Sequence, residues 1–175
     1  MKKSIGLCLV FFLFLGAGCG CHRSWFSKPA IQTSDNGYYA IQLEPIKDER
    51  RCFASFRLTV SNKTMENLEI DWNKTLYLQN GRTKGRFSFS SLNSKNIDNP
   101  PPDVIRPGTS LSKKIWPIRL NGQVSSENHN VSFDQKAAVR GHIPEGENGI
   151  YLVARQNAVE VQEKITVKIT SVQVK

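Results

Sequence analysis

The side chains best suited to catalysis or metal binding are few in this sequence and stand far apart along it. Of 175 residues, four are cysteines and three are histidines. The histidines are His22, His129 and His142, and none has a neighbour at the spacing typical of zinc ligands. Cys19-Gly20-Cys21-His22 would form a short metal-binding tract only if both thiols stayed unmodified. We therefore predict no metal site and no cofactor.

The motifs of common enzyme classes are missing as well. The sequence has neither a G-x-S-x-G nucleophile elbow nor a glycine-rich phosphate loop. Asp71, beside Trp72, could serve as a glycosidase carboxylate, but such enzymes need a second carboxylate across a cleft. We interpret Asp71 as a residue that hydrogen-bonds a turn while Trp72 caps the core. Glu145 and Glu147 flank a glycine where calcium could bind, but no regular calcium loop surrounds them. We predict no catalytic residue.

The first eighteen residues have the organisation of a signal peptide. Lys2 and Lys3 supply the positive charge, and residues 5–15 form an apolar run of eleven residues. A membrane-spanning helix needs about 20 apolar residues, so this run has the length of a signal-peptide core instead. Small residues at 16–18 follow, and Cys19 comes next. We predict that residues 1–18 are removed.

The stretch Leu15-Gly16-Ala17-Gly18-Cys19 resembles the lipobox of bacterial lipoproteins. The usual large apolar residue three positions before the cysteine is replaced here by Gly16. In that family a diacylglycerol is attached to the cysteine thiol, and signal peptidase II then cuts before it. The resemblance implies that Cys19 is lipidated and that the protein is anchored in the cell membrane or outer membrane, facing the periplasm or the exterior. One alternative is ordinary secretion, with Cys19 as a plain thiol. Another is lipidation of Cys21, which would need Cys19 just before the cut.

If Cys8 is removed with the leader and Cys19 is lipidated, Cys21 and Cys52 remain as free thiols. An oxidising compartment would permit Cys21 and Cys52 to form a disulfide. Alternatively, Cys52 is a small buried residue on a strand and Cys21 lies on a mobile tether.

The mature chain divides into a tether and a β domain. Polar and small residues dominate 19–37, which we predict to be a tether. From Tyr38 to the end at 175, several segments alternate apolar and polar residues with period two, which predicts strands. Seven to nine strands at intervals of about ten residues favour an antiparallel immunoglobulin-like β-sandwich, with a barrel as the alternative. In the second strand of this domain we expect Cys52, Ala54, Phe56, Leu58 and Val60 to face inward.

Two further stretches carry a resemblance. Residues 70–75 (IDWNKT) and 101–108 (PPDVIRPG), together with Pro117, resemble a pattern found in uncharacterised bacterial lipoproteins that bear a single β domain. The resemblance implies no activity.

The net charge of the chain does not identify a class of binding partner. The formal charge is +9, and loss of the two leader lysines gives +7 for the mature chain. The longest basic runs are the pairs Arg50-Arg51 and Lys113-Lys114, so we expect no nucleic-acid partner.

The sequence favours a non-enzymatic binding or structural module of the cell envelope, with an envelope protein or glycan as partner. One alternative is an enzyme acting on envelope polymers, with Asp71 or Glu145 in its site. Another is a binder of anionic surfaces through the net positive charge.

Overall fold

The computed structural model describes residues 22–49, 51–89, 99–118 and 142–174. Eleven strands make up the regular structure of these ranges. In chain order they are β1 (His22–Lys28), β2 (Gln32–Asp35), β3 (Tyr39–Lys47), β4 (Phe53–Asn62), β5 (Leu68–Ile70), β6 (Leu76–Gln79), β7 (Arg82–Phe89), β8 (Asp103–Ile105), β9 (Ser110–Pro117), β10 (Gly146–Gln156) and β11 (Val159–Val174). Within the same ranges there is no helix long and apolar enough to cross a membrane. The prediction of a mainly β protein is confirmed.

The strands form one curled sheet in the shape of a half-barrel, and every strand pair is antiparallel. The order is β1-β11-β10-β6-β7-β9-β4-β3-β2, with β5 and β8 beside this path. The sheet curls at β7, because its first part pairs with β6 and its last three residues pair with β9. Across the opening, Ser34 Oγ and Asn36 Nδ2 donate to the Glu163 carboxylate at 2.7 and 3.2 Å. These bonds join β2 and the residue after it to β11.

One apolar core fills the concave side of the sheet. The period-two pattern is confirmed in β3, where Tyr39, Ile41 and Leu43 are buried, and in β11, where Ile165, Val167 and Ile169 are buried. Full burial of one such side chain contributes about 1.5–3 kcal/mol. The core therefore draws on strands from both ends of the sheet.

The inward face of β4 differs from the prediction. A β-bulge lies where β3 meets β4, since Ile46 pairs with Ser55 and Lys47 pairs with Phe53, which leaves Ala54 unmatched. A bulge adds one residue to one strand and so reverses the faces beyond it. Phe53 consequently joins the core. The expectation that Cys52 is a buried strand residue is wrong, because Cys52 precedes β4 and is half-buried.

The tether predicted over 19–37 is wrong for the described part of that range. Residues 22–28 form β1, which pairs with the last residues of β11, and residues 32–35 form β2, which pairs with β3. Trp25 packs against the core. Main-chain pairing along β11 and β3 stabilises these polar segments as strands, because it covers the exposed edges of both partners. The β domain therefore includes residues 22–37. The signal peptide at 1–18, Cys19 and Cys21 lie outside the described residues.

Two positions show how glycine shapes the sheet. A hairpin at Asn80-Gly81 joins β6 to β7, and positive φ angles of 49° and 75° match the turn type that an Asn-Gly pair favours. Gly149 of β10 lies close to β11, where a Cβ atom would stand 2.1 Å from the carbonyl oxygen of Ile165. The β10–β11 pair thus requires glycine at 149.

Candidate functional site

A short turn between β3 and β4 brings a carboxylate next to a thiol. The Asp48 amide donates to the Cys52 carbonyl at 2.8 Å, and the Arg51 amide donates to the Asp48 carbonyl at 2.9 Å. The Asp48 side chain closes the turn, because its Oδ1 accepts from the Cys52 amide at 3.2 Å. Arg51 adopts a left-handed backbone conformation with φ 62°. These bonds fix the side chains of Asp48 and Cys52 on the same small loop.

A histidine from a distant part of the chain completes this group. The Ile143 amide donates to the Phe53 carbonyl at 2.7 Å, and the Ile143 side chain is buried in the core. This anchor places the preceding residue, His142, beside the turn. His142 Nε2 lies 3.4 Å from Asp48 Oδ2. One ligand atom from each of Asp48, Cys52 and His142 lies within 4.8 Å of the other two, and all three residues are half-buried.

We call Asp48, Cys52 and His142 the thiol cluster. A thiol, an imidazole and a carboxylate at this separation can coordinate a metal ion or, with the imidazole as base, activate the thiol as a nucleophile. Sequence reasoning missed the cluster because it considered only neighbours along the chain. No histidine has a neighbour at the sequence spacing typical of zinc ligands, yet the fold brings Asp48 and Cys52 to His142. The one signal visible in the sequence is an acidic residue four positions before a cysteine, Asp48 before Cys52.

An open pocket of about 450 Å³ adjoins the thiol cluster. Its floor comes from the bulge region of β4 and its wall from β9. The lining residues are Lys47, Asp48, Glu49, Ala54, Ser55, Lys114 and Trp116. The Lys47 ammonium lies over two aromatic rings, 5.3 Å from the ring centre of Phe53 and 5.8 Å from that of Phe26. Asp48 belongs to both the pocket and the thiol cluster.

The interpretation of Asp71 and Trp72 is confirmed. Asp71 Oδ1 accepts from the amides of Asn73 and Lys74 at 3.0 and 3.3 Å, which holds the turn before β6. Trp72 is 1% exposed and belongs to the core. Asp71 is therefore engaged in local structure.

Asp71 and Glu145, the two carboxylates considered for an enzyme site, lie far apart in the structure. Asp71 Oδ2 lies 3.7 Å from the guanidinium of Arg155, near the end of β10. Glu145 precedes the start of β10, where it lies 3.8 Å from the guanidinium of Arg23. Ten residues of extended strand separate the two places, which corresponds to about 30 Å. Glycosidase carboxylates lie within about 10 Å of each other, so Asp71 and Glu145 cannot form such a pair.

Lys113, one of the paired basic residues, points inward. It stands opposite the buried Leu58 in the β4–β9 pair. Its ammonium lies 3.9 Å from the ring centre of Phe89 and donates to Asp103 Oδ2, which also accepts from Trp72 Nε1 at 2.8 Å. Asp103 thus joins the two sequence stretches 70–75 and 101–108. We assign this arrangement to stability.

Cys19, Cys21 and His129 lie outside the described residues. Lipidation of Cys19 therefore stays a prediction, and a disulfide between Cys21 and Cys52 stays one of two open alternatives. Comparison of the chain with known protein families, with curated proteins and with solved structures finds no match.

Proposed function

We propose that this protein is a lipid-anchored component of the bacterial cell envelope whose β domain binds a peptide or glycan of that envelope without catalysing a reaction. The observation that carries the proposal is the pocket beside the β3–β4 bulge. Lys47 and Lys114 offer positive charge, Asp48 and Glu49 offer negative charge, and Trp116 offers a half-buried aromatic surface. This combination suits a ligand with both charged groups and a flat apolar face, as envelope peptides and sugars have.

The leader supports the location in this proposal. A positive start, an apolar run of signal-peptide length and the lipobox-like stretch ending at Cys19 favour export and acylation. Two or three acyl chains anchor a protein stably, since each buried methylene contributes about 0.8 kcal/mol. We propose that Cys19 is the acylated residue. Mass spectrometry of the mature N-terminus tests this directly, and an unacylated residue 19 would contradict it.

We also propose that the curled sheet corresponds to the immunoglobulin-like sandwich that the strand spacing favours. The proposal is supported by strands of the two halves that face each other across one core. Amide hydrogen exchange along β7 tests it. Rapid exchange at residues 87–89 would indicate two separate sheets, whereas protection equal to that at the start of β7 would favour a continuous barrel-like sheet.

A capture experiment tests the binding function. Full-length protein in detergent is immobilised and exposed to envelope extract, alongside a Trp116→Ala variant. A second surface, lined by Gln79, Asn80, Arg82 and Lys84, provides the matched control Lys84→Ala. We expect the wild type and Lys84→Ala to retain the same peptide or glycan, and Trp116→Ala to lose it. Equal retention by all three proteins, or conversion of the ligand into a cleaved product, would contradict the proposal.

A further inference from the structure

We propose that the thiol cluster of Asp48, Cys52 and His142 is a binding site for a divalent transition-metal ion, with Zn²⁺ as the preferred ion. The inference goes beyond the proposed function, because it depends neither on the lipid anchor nor on a ligand in the pocket. It rests on the identity of the three side chains, on their separation and on the backbone bonds that hold them.

The separations match those of a zinc site. Tetrahedral Zn²⁺ with bonds of about 2.0–2.3 Å to N, O and S places neighbouring ligand atoms about 3.3–3.6 Å apart. His142 Nε2 and Asp48 Oδ2 are already 3.4 Å apart. Ligand atoms of all three residues lie within 4.8 Å of one another. The remaining ligand pairs would therefore have to close by at most about 1.5 Å to reach the spacing of a tetrahedral site.

The backbone orients the ligands before any ion binds. The Cys52 amide donates to Asp48 Oδ1, so the carboxylate is turned with Oδ2 toward His142. The amide of Ile143 fixes the other side of the site by donating to Phe53 at the first residue of β4. Such supporting bonds restrict the ligand side chains and increase affinity for a metal.

The donor set selects the class of metal. A thiolate with an imidazole disfavours Mg²⁺ and Ca²⁺, which take oxygen ligands, and suits Zn²⁺, which accepts sulfur, nitrogen and oxygen. Three protein ligands leave the fourth position of a tetrahedral ion for water or another group. Because Asp48 also lines the pocket, a bound ion would lie at the pocket wall.

Cobalt titration tests the proposal. The full-length chain is purified in detergent, kept reduced and freed of metal with a chelator, and Co²⁺ is added as the spectroscopic probe for the zinc site. We expect one Co²⁺ per chain, a thiolate-to-cobalt charge-transfer band in the near ultraviolet, and loss of the band when Zn²⁺ is added. Loss of a partner outside the ligand shell costs about 10- to 100-fold in metal affinity, so loss of a ligand in Cys52→Ser or His142→Ala should weaken binding by roughly 100-fold or more.

Matched variants keep the test decisive. Cys21→Ser and His129→Ala change the same residue types elsewhere, and both should bind Co²⁺ as the wild type does. Asp48→Asn keeps the shape of the side chain and should weaken binding without removing the charge-transfer band. Zn²⁺ should also raise the unfolding temperature of the wild type and leave that of Cys52→Ser unchanged, which separates loss of metal from loss of fold. A charge-transfer band that persists in Cys52→Ser, or vanishes in Cys21→Ser, would overturn the proposal.

Discussion

Replacement of Tyr39 by phenylalanine should stabilise the protein. Tyr39 is 0% exposed, and its hydroxyl makes no hydrogen bond of ordinary geometry in the described part of the chain, although the Asn36 side chain lies close enough to lower its pKa. A buried polar group without a partner costs about 1–3 kcal/mol. Tyr39→Phe removes that group and leaves the ring in place. We expect the free energy of unfolding to rise by about 1–2 kcal/mol at pH 7, as measured by urea denaturation.

The pH dependence gives a second, independent readout. Burial raises the pKa of Tyr39 from its ordinary value of 10.0 to about 12, against the opposing effect of the Asn36 side chain, and the negative charge of Glu163 adds to the rise. The folded protein therefore holds this proton more tightly than the unfolded chain does. Its contribution to stability is complete below pH 10 and is lost as the pH rises from 10 to 12. A rise of two pKa units corresponds to about 2.7 kcal/mol, so the advantage of Tyr39→Phe over the wild type should grow across this range.

Tyr77 provides the matched control. It is buried in the same core, but its hydroxyl donates to the Oδ1 of buried Asn148. Tyr77→Phe leaves that oxygen without this donor and should lower the free energy of unfolding by about 1–3 kcal/mol. The reasoning would be refuted if Tyr39→Phe destabilised the protein as much as Tyr77→Phe, or if its difference from the wild type were the same at pH 9 and pH 11.

Three further predictions concern packing, charge and the anchor. Gly149→Ala should cost about 3 kcal/mol, the upper end of the range of about 1–3 kcal/mol for overpacking, because the clashing atom is a backbone oxygen of the paired strand. Thermal unfolding measures this loss. Asp103→Asn keeps an acceptor for Trp72 but loses the charge beside Lys113, so it should cost about 1–2 kcal/mol and Asp103→Ala more in the same urea assay. Cys19→Ser should abolish incorporation of labelled fatty acid and release the protein from the membrane fraction, and continued labelling would contradict the proposed anchor.

The sequence predicted the strands whose faces differ in polarity. In β3 and β11 one face packs on the core, so alternation is regular and both strands were identified. β1 and β2 were missed because their pairing depends on main-chain bonds with β11 and β3, which no local pattern records. The faces of β4 were assigned wrongly near its start because a single unmatched residue, Ala54, shifts the register. Local periodicity identifies a strand but cannot detect a bulge that depends on its partner.

The thiol cluster could not be predicted for a different reason. Asp48 and Cys52 are close in sequence, and an acidic residue four positions before a cysteine is a visible signal. His142 lies ninety residues beyond Cys52, and only the bond between the Ile143 amide and the Phe53 carbonyl brings it there. The cluster also bears on the possible disulfide between Cys21 and Cys52. A thiol that binds a metal cannot pair with Cys21, so reduction state and metal occupancy at Cys52 exclude each other.

The position of β1 changes what lipidation of Cys19 would mean. The earlier expectation of a tether through residue 37 would allow the domain to move far from the bilayer. β1 instead begins at His22, so only three peptide steps separate it from Cys19, and they span at most about 11 Å. At this end of the strand pair His22 pairs with Val174, and both Val172 and Val174 are more than half exposed. If Cys19 carries the lipid that we propose, the β1–β11 end of the domain lies against the headgroups, and any partner must be bound at the membrane surface.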